Sequence, residues 1–345
     1  GKWSSTSIYP MRNLKPEKTR SWEFGLNSKW LDNRLSFDLT YYKSNTINQT
    51  FTADLSISSG YSKAYIQSGN VRNEGIEMAL GYSDKWNGFA WDSHLTLSWN
   101  KNKIIKLTEG SINPMTGEPI TKDNYDMGQL GNLDARVKLY KGGSIGDVYA
   151  THRIKRDGNG NVFVSQEGKI EIESVDEFKL GSILPKTNMG WSNNFSYKGV
   201  NLGMTLTARF GGIALSGTQS VLDQYGVSQV TANYRDTGGV PINHGYVDTE
   251  KYFDTVKGYA AYYTYSATNV RLAELSLSYT LPKEWFRDKL RMTVGLVGKN
   301  LWMIYCKAPF DPEATASTQS NYYQSYDYFM QPTTRNLGFS VKLNF

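Results

Sequence analysis

The sequence predicts an all-β fold, an antiparallel transmembrane β-barrel, on three observations. Apolar and polar residues alternate along strand-length runs, short and long connections follow one another, and aromatics are abundant. The last segment, Leu337-Gly-Phe-Ser-Val-Lys-Leu-Asn-Phe345, carries the alternation most clearly. It sets Leu337, Phe339, Val341, Leu343 and Phe345 at every second position, with Gly338, Ser340, Lys342 and Asn344 between them. A strand sends alternate side chains to opposite faces, so one face here is wholly apolar. A terminal aromatic after such a run fits the closing strand of an outer-membrane barrel, apolar toward lipid and polar toward the lumen. The 24 Tyr, 14 Phe and 9 Trp make up 14% of 345 residues. Such enrichment suits interfacial girdles, and equally a carbohydrate-binding β protein. Mean hydropathy is −0.51 and no run approaches the roughly 18 apolar residues of a membrane helix. A barrel escapes that test because only alternate residues meet lipid.

The elements follow in order. Residues 18–30 carry Trp22, Phe24, Leu26 and Trp30 on one face, and Leu31-Asp-Asn-Arg34 reads as a tight turn. Residues 35–46 follow with Leu35, Phe37, Leu39 and Tyr41 on one side and Ser36, Asp38, Thr40 and Tyr42 on the other. Ile76, Met78, Leu80 and Tyr82 form the next strand, and a turn over Ser83–Gly88 leads to Phe89, Trp91, Leu95, Leu97 and Trp99. Met189, Trp191, Phe195 and Tyr197 run to Lys198-Gly199, and Val200, Leu202, Met204, Leu206, Ala208 and Phe210 run away from it. Leu275, Leu277, Tyr279 and Leu281, the link Pro282–Lys289, and Leu290, Met292, Val294 and Leu296 precede the terminal strand. Short links at one end and long loops at the other are the asymmetry of outer-membrane barrels, with the loops outside. Within 101–185, Val148-Tyr-Ala150 and Val162-Phe-Val164 flank Asp157-Gly-Asn-Gly-Asn161, a hairpin turn signal. They read either as two wall strands or as a hairpin on a long loop. The polar connection 211–265 shows no helical periodicity of useful length.

Composition narrows the chemistry. The net charge of +6 is spread along the chain without the basic blocks of a nucleic-acid binder. Cys306 stands alone, and His94, His152 and His244 are too far apart in sequence to read as a metal site, so no metal or cofactor is expected. No catalytic triad signature, phosphate loop or dinucleotide fingerprint is present, and the chain reads as a non-enzyme. It begins at Gly1 without a signal peptide, so a mature chain or a fragment is expected of an exported barrel.

Several phrases resemble the SusC-like TonB-dependent transporters of Bacteroidetes outer membranes. They are Asn13-Leu-Lys-Pro-Glu-Lys-Thr19 leading into Trp22-Glu-Phe-Gly-Leu26, Asn70-Val-Arg-Asn-Glu-Gly-Ile-Glu77, and Val270-Arg-Leu-Ala-Glu-Leu-Ser-Leu-Ser-Tyr-Thr-Leu-Pro282. Gly298-Lys-Asn-Leu301, Phe310-Asp-Pro-Glu313 and the terminal strand complete the set in family order across the whole chain. Where the family often carries an aspartate-rich, calcium-loop-like stretch, this chain has Ser165-Gln-Glu-Gly-Lys-Ile170, so no metal site is carried over. The resemblance implies that residues 1–345 are the C-terminal part, about half, of a 22-stranded barrel whose N-terminal plug domain is absent from this chain.

It also implies import driven by the TonB–ExbB–ExbD complex through the missing N-terminal part. A SusD-like surface lipoprotein would be the partner, outer-membrane lipid the surroundings, and an oligosaccharide or a peptide the substrate. Assembly machinery would read the terminal strand, so deleting Phe345 is expected to lower outer-membrane levels. The outer loop residues Tyr322, Tyr323, Tyr326, Asp327 and Tyr328, with Phe329, fit either a sugar site or girdle and inter-loop packing. Trp302 and Tyr305 are girdle candidates, and Tyr225, Tyr234, Tyr252, Tyr259, Tyr262 and Tyr263 face the lipoprotein cap or substrate in that reading. The rival classes are a passive porin or adhesin barrel and a soluble carbohydrate-binding β protein.

Overall fold

Runs of period two become strands where one face finds an apolar environment and the neighbouring strand satisfies the backbone. The computed structural model of the chain describes residues 8–9, 15–54, 61, 63–107, 124–287, 289–314 and 324–344. In chain order its strands begin with β1 (Ile8–Tyr9), β2 (Lys18–Trp30), β3 (Leu35–Asp54), β4 (Lys63–Trp86) and β5 (Phe89–Lys106). There follow β6 (Asn124–Gln129), β7 (Arg136–Tyr140), β8 (Asp147–Ile154), β9 (Ile172–Ser182), β10 (Thr187–Tyr197), β11 (Val200–Phe210) and β12 (Ile213–Ser216). Helices α1 (Gly217–Gln224) and α2 (Gln229–Asp236), strands β13 (Val240–Ile242) and β14 (Gly245–Val247), and α3 (Thr249–Val256) come next. The last are β15 (Thr264–Ser266), β16 (Asn269–Thr280), β17 (Arg291–Cys306), β18 (Tyr326–Asp327) and β19 (Asn336–Asn344).

One large sheet, in the order β19-β17-β16-β11-β10-β5-β4-β3-β2, forms a wall of consecutive antiparallel neighbours, and β1 joins β4 in parallel. These are the strands that period-two alternation picks out. Left-handed backbone closes the tight hairpins, with φ of 48° and 79° at Asn87-Gly88 and of 45° and 85° at Lys198-Gly199. Such two-residue turns match the twist of the strands they join. The turn expected over Ser83–Gly88 is therefore shorter than its sequence suggests: β4 runs on to Trp86, whose ring lies 5.0 Å from that of Phe89 across the hairpin.

Residues 101–185 contribute no further wall strand among the described residues. Val148-Tyr-Ala150 lies inside β8, part of a separate sheet β6-β7-β8-β9, and Val162 and Val164 form only isolated bridges to Arg156, Ile170 and Ile242. Val148, Ala150, Val162 and Val164 are buried among loop residues, which is why their short apolar runs do not face outward. The Asp157–Asn161 turn forms as expected, with the Asp157 amide donating to the Asn161 carbonyl at 2.9 Å. In 211–265 the expectation of no helix is corrected by α1, α2 and α3, each of eight residues. Ser216, Ser228 and Asp248 cap them by accepting the amides of Gln219, Thr231 and Lys251. Helices this short lack the periodicity that identifies longer ones and depend on caps and burial.

The buried core lies mainly in this loop layer. Leu130, Leu133, Val137, Val148, Ile183, Leu215, Tyr263 and Tyr326 form one cluster; Val162, Val240, Tyr252, Phe253 and Val256 form another. A third joins the loop to the wall, with Tyr125, Leu139 and Leu107 on Val71 and Ile104 of β4 and β5.

Candidate functional site

The wall has two unlike faces. Across its register, Leu26 faces Leu39, Met78, Leu97, Met189 and Ala208 in turn. Phe195 faces Leu202, Leu277, Leu296 and Phe339. Large apolar side chains on this face stand exposed, Trp22 at 70%, Leu296 at 65% and Phe339 at 81%, as a lipid-facing surface requires. The opposite face is polar or small: Gly25, Thr40, Glu77, Ser98, Asn188 and Arg209 lie side by side, one row from Asn27, Asp38, Ala79, Thr96, Gly190 and Thr207. Asn27 donates to Asp38 at 2.9 Å and the Tyr42 hydroxyl donates to Asn100 at 3.0 Å. Asp38, Thr40, Glu77, Thr96, Ser98 and Asn188 line a shallow concavity on this face. Carboxylates, hydroxyls and amides there offer a hydrated solute many weak exchangeable hydrogen bonds and no covalent chemistry.

Above the wall, polar nodes tie the loops down. Arg271 of β16 donates to both oxygens of Asp311, at 2.8 and 3.2 Å, and the Thr333 hydroxyl donates to the same carboxylate at 2.6 Å. Asn269 donates to Glu313 at 3.0 Å, and Asn300 to the Thr334 carbonyl at 3.3 Å. Burial raises the Asp311 carboxyl, but the Arg271 guanidinium, the Thr333 hydroxyl and the Glu313 amide outweigh it and hold the group below its ordinary value. On β4, Asn73 accepts from Asn102, which in turn accepts from the Ser144 hydroxyl and the Ile145 amide. Near the start of the wall, Glu17 accepts the Thr50 amide, and Gln67 exchanges hydrogen bonds with the backbone of Lys15 at 2.7 Å. Where wall and loop sheet meet, Lys179 donates to the buried Asp147 at 2.6 Å beside Asn100, Ser182 and Lys186. The Tyr149 hydroxyl next to this pair is pushed up to about 12, by burial first and by Asp147 and Glu177 second.

Tyr326 and Asp327 form β18, paired in parallel with Leu215 and Ser216 of β12. The Tyr326 hydroxyl donates to Asn132 at 2.5 Å and Asp327 accepts from Ser216 at 2.7 Å, so both sit in the packed junction of three loops. Tyr328 stacks on Tyr326, with ring centroids 6.0 Å apart and planes 13° apart, and is itself half exposed, as is Phe329. Tyr322, Tyr323 and Phe345 lie outside the described residues, as do Asn13 and Leu14. Leu337, Phe339, Val341 and Leu343 share one face of β19 opposite Gly298, Leu296, Val294 and Met292. Trp302 and Tyr305 are exposed on β17. Of the loop tyrosines, Tyr252 and Tyr263 are buried, Tyr234, Tyr259 and Tyr262 pack against the loop cores, and Tyr225 is exposed.

Sequence reasoning did not assign Arg271, Asn300 and Asp311 to one node. A signal was available, since each stands within a phrase that resembles the transporter family, but only folding brings the three phrases together. The family described as TonB dependent receptor-like, beta-barrel matches residues 3–301. The chain belongs to this family. Family membership makes the apolar face a lipid face in the outer membrane and the polar face a lumen wall, in a family of transporters and not of enzymes. TonB-dependent receptor P3 of Formosa agariphila is 27% identical over 96% of this chain and 34% of its own length. TonB-dependent receptor SusC of Bacteroides thetaiotaomicron is 22% identical over 90% of this chain and 31% of its own length. In fold, the chain is similar to a chain of the RagAB peptide importer in its open-open state, with a TM-score of 0.69 and 18% identity. That match covers 98% of this chain and 36% of the other. The chain thus spans about a third of the length of the curated relatives it matches.

Proposed function

We propose that the chain is the C-terminal part of the barrel of a TonB-dependent importer, with a plug domain supplied by preceding polypeptide and a SusD-like lipoprotein over the outer loops. The observation that carries this reading is a wall apolar on one face and polar on the other, beneath a loop layer packed on cores of its own. A passive pore needs only the wall. A loop layer this well packed suits a surface that binds a partner and a substrate before transport.

The substrate class in this reading is an oligosaccharide. Tyr328 offers an exposed ring anchored by stacking on Tyr326, with Phe329 edge-on beside it at 5.2 Å. A rigid aromatic with a free face suits the C–H face of a sugar. The test is to extract the native complex in mild detergent, weigh its subunits and screen it against glycans and peptides. A subunit well above 39.0 kDa with a lipoprotein beside it, and glycan binding that falls at least about ten-fold in Tyr328→Ala, is the expected result. Peptide binding alone would overturn the substrate class and leave the importer, whereas a lone 39.0 kDa barrel would overturn both.

A further inference from the structure

On strands β2 to β5 the lipid face changes character at one level. Phe24, Tyr41, Ile76 and Trp99 stand in register as an aromatic-rich row that closes the apolar band at the long-loop end. The next row toward the loops on the same face is Trp22, Lys43, Glu74 and Lys101, and the row above it is Arg20, Asn45, Arg72 and Lys103. Five cations thus face outward within two rows against one carboxylate, Glu74, which lies 3.9 Å from Lys101. Arg72 donates to Asn45 at 2.9 Å through Nε. Arg20 and Lys103 are exposed, and neither they nor Lys43 have a carboxylate within ion-pair distance among the described residues. On the other half of the wall, Phe210, Trp302 and Tyr305 stand exposed at the loop end with the exposed Lys307 and Arg335 beyond them, so the five-cation cluster marks the sector of β2 to β5.

We propose that this sector is a binding site for the phosphorylated headgroup of an outer-leaflet glycolipid. Outward cations directly above an aromatic girdle lie at the depth where headgroup phosphates lie, and the lipid-facing band continues without a break into them. Two guanidiniums and three ammoniums, on rows about 7 Å apart, match a headgroup with more than one phosphate. A protein partner would have to displace lipid from the aromatic row immediately below. The site depends on the barrel lying in the outer membrane and not on what the barrel transports.

The test uses the full-length protein, delipidated in detergent and titrated with diphosphorylated lipid A or with its dephosphorylated form, with bound lipid counted by native mass spectrometry. The wild-type protein is expected to hold the phosphorylated lipid at least about ten-fold more tightly, since one cation near an anionic headgroup contributes roughly five-fold. The triple variant Arg20→Gln, Lys43→Gln, Lys103→Gln is expected to lose that preference while keeping the heat-dependent gel shift of a folded barrel. Lys198→Asn, at the short-turn end, is expected to keep the preference. Equal binding of the two lipids by the wild-type protein would overturn the site whatever the variants do. So would a triple variant that folds and still prefers the phosphorylated lipid.

Discussion

Gly75 and Gly25 both sit on wall strands facing the lumen, yet their surroundings make opposite demands. A Cβ on Gly75 would lie 2.3 Å from the Trp99 carbonyl oxygen and 2.6 Å from the Tyr42 hydroxyl, because the Tyr42 ring folds over the glycine to reach Asn100. Among the described residues, a Cβ on Gly25 would meet only the Thr40 hydroxyl, at 3.7 Å. Gly75→Ala is therefore expected to cost about 3 kcal/mol or prevent assembly, since the nearer obstacle is backbone. Gly25→Ala is expected to change stability by less than about 0.5 kcal/mol. Denaturant unfolding of the two variants in detergent checks the contrast. Asp311 makes a second prediction at this scale. Its side chain and that of Arg271 are 8% and 10% exposed, so Asp311→Ala leaves a buried cation without its main partner and is expected to cost about 3 kcal/mol. The folded carboxyl titrates below its ordinary value of 3.8, so the unfolded chain takes up the proton first. The pair's contribution is full above that value and drains away as pH falls through the lower folded value. Thermal unfolding from pH 6 down to about pH 2 is expected to show this extra acid loss in the wild-type protein and not in the variant.

At the scale of elements, the wall was legible in the sequence and the loop layer was not. A wall strand repeats its signal over many residues, as Leu35, Phe37, Leu39 and Tyr41 do, and each partner strand repeats it again in register. The loop strands are brief, and their burial is set by contacts far apart in sequence: Tyr326 packs on Leu133, and Tyr125 on Ile104. Helix α3 is capped by Asp248, but its apolar inward residues Tyr252, Phe253 and Val256 span little more than one turn, too little for a period to show. The candidate site divides in the same way. The Tyr328 ring was visible as part of an aromatic cluster, whereas the roles of Tyr326 and Asp327 in the loop junction depend on Asn132 and Ser216, which no local pattern brings together. Segment 211–268 forms a lobe whose buried cluster around Phe253 contains no residue of the wall strands. Phe253 is fully buried against Tyr252, Tyr262 and Tyr234, so Phe253→Ala is expected to cost the lobe about 3 kcal/mol. Limited proteolysis within 211–268 is expected to accelerate about a hundred-fold while the barrel keeps its gel shift. Loss of the gel shift would mean that lobe and wall unfold as one unit.

For the whole molecule, the decisive feature is a sheet with two free ends. β2 has β3 on one side and β19 has β17, and neither has a second neighbour among the described strands. Both carry apolar side chains into lipid, with Trp22 70% and Leu337 82% exposed. Water cannot satisfy their outward amides and carbonyls there, and each one left bare in hydrocarbon costs several kcal/mol. Charged side chains blunt such edges in soluble sheets, but lipid leaves pairing with further strands as the remaining solution. If the wall is part of a closed barrel, the alternate amides of β2 that point away from β3 are hydrogen-bonded in the full-length protein. Hydrogen exchange on that protein in detergent is expected to show them protected for hours, like the amides of β10 and β11 in the middle of the wall. Exchange within seconds at those positions, with β10 still protected, would mean that the sheet ends at β2 and that no closed barrel forms around this wall.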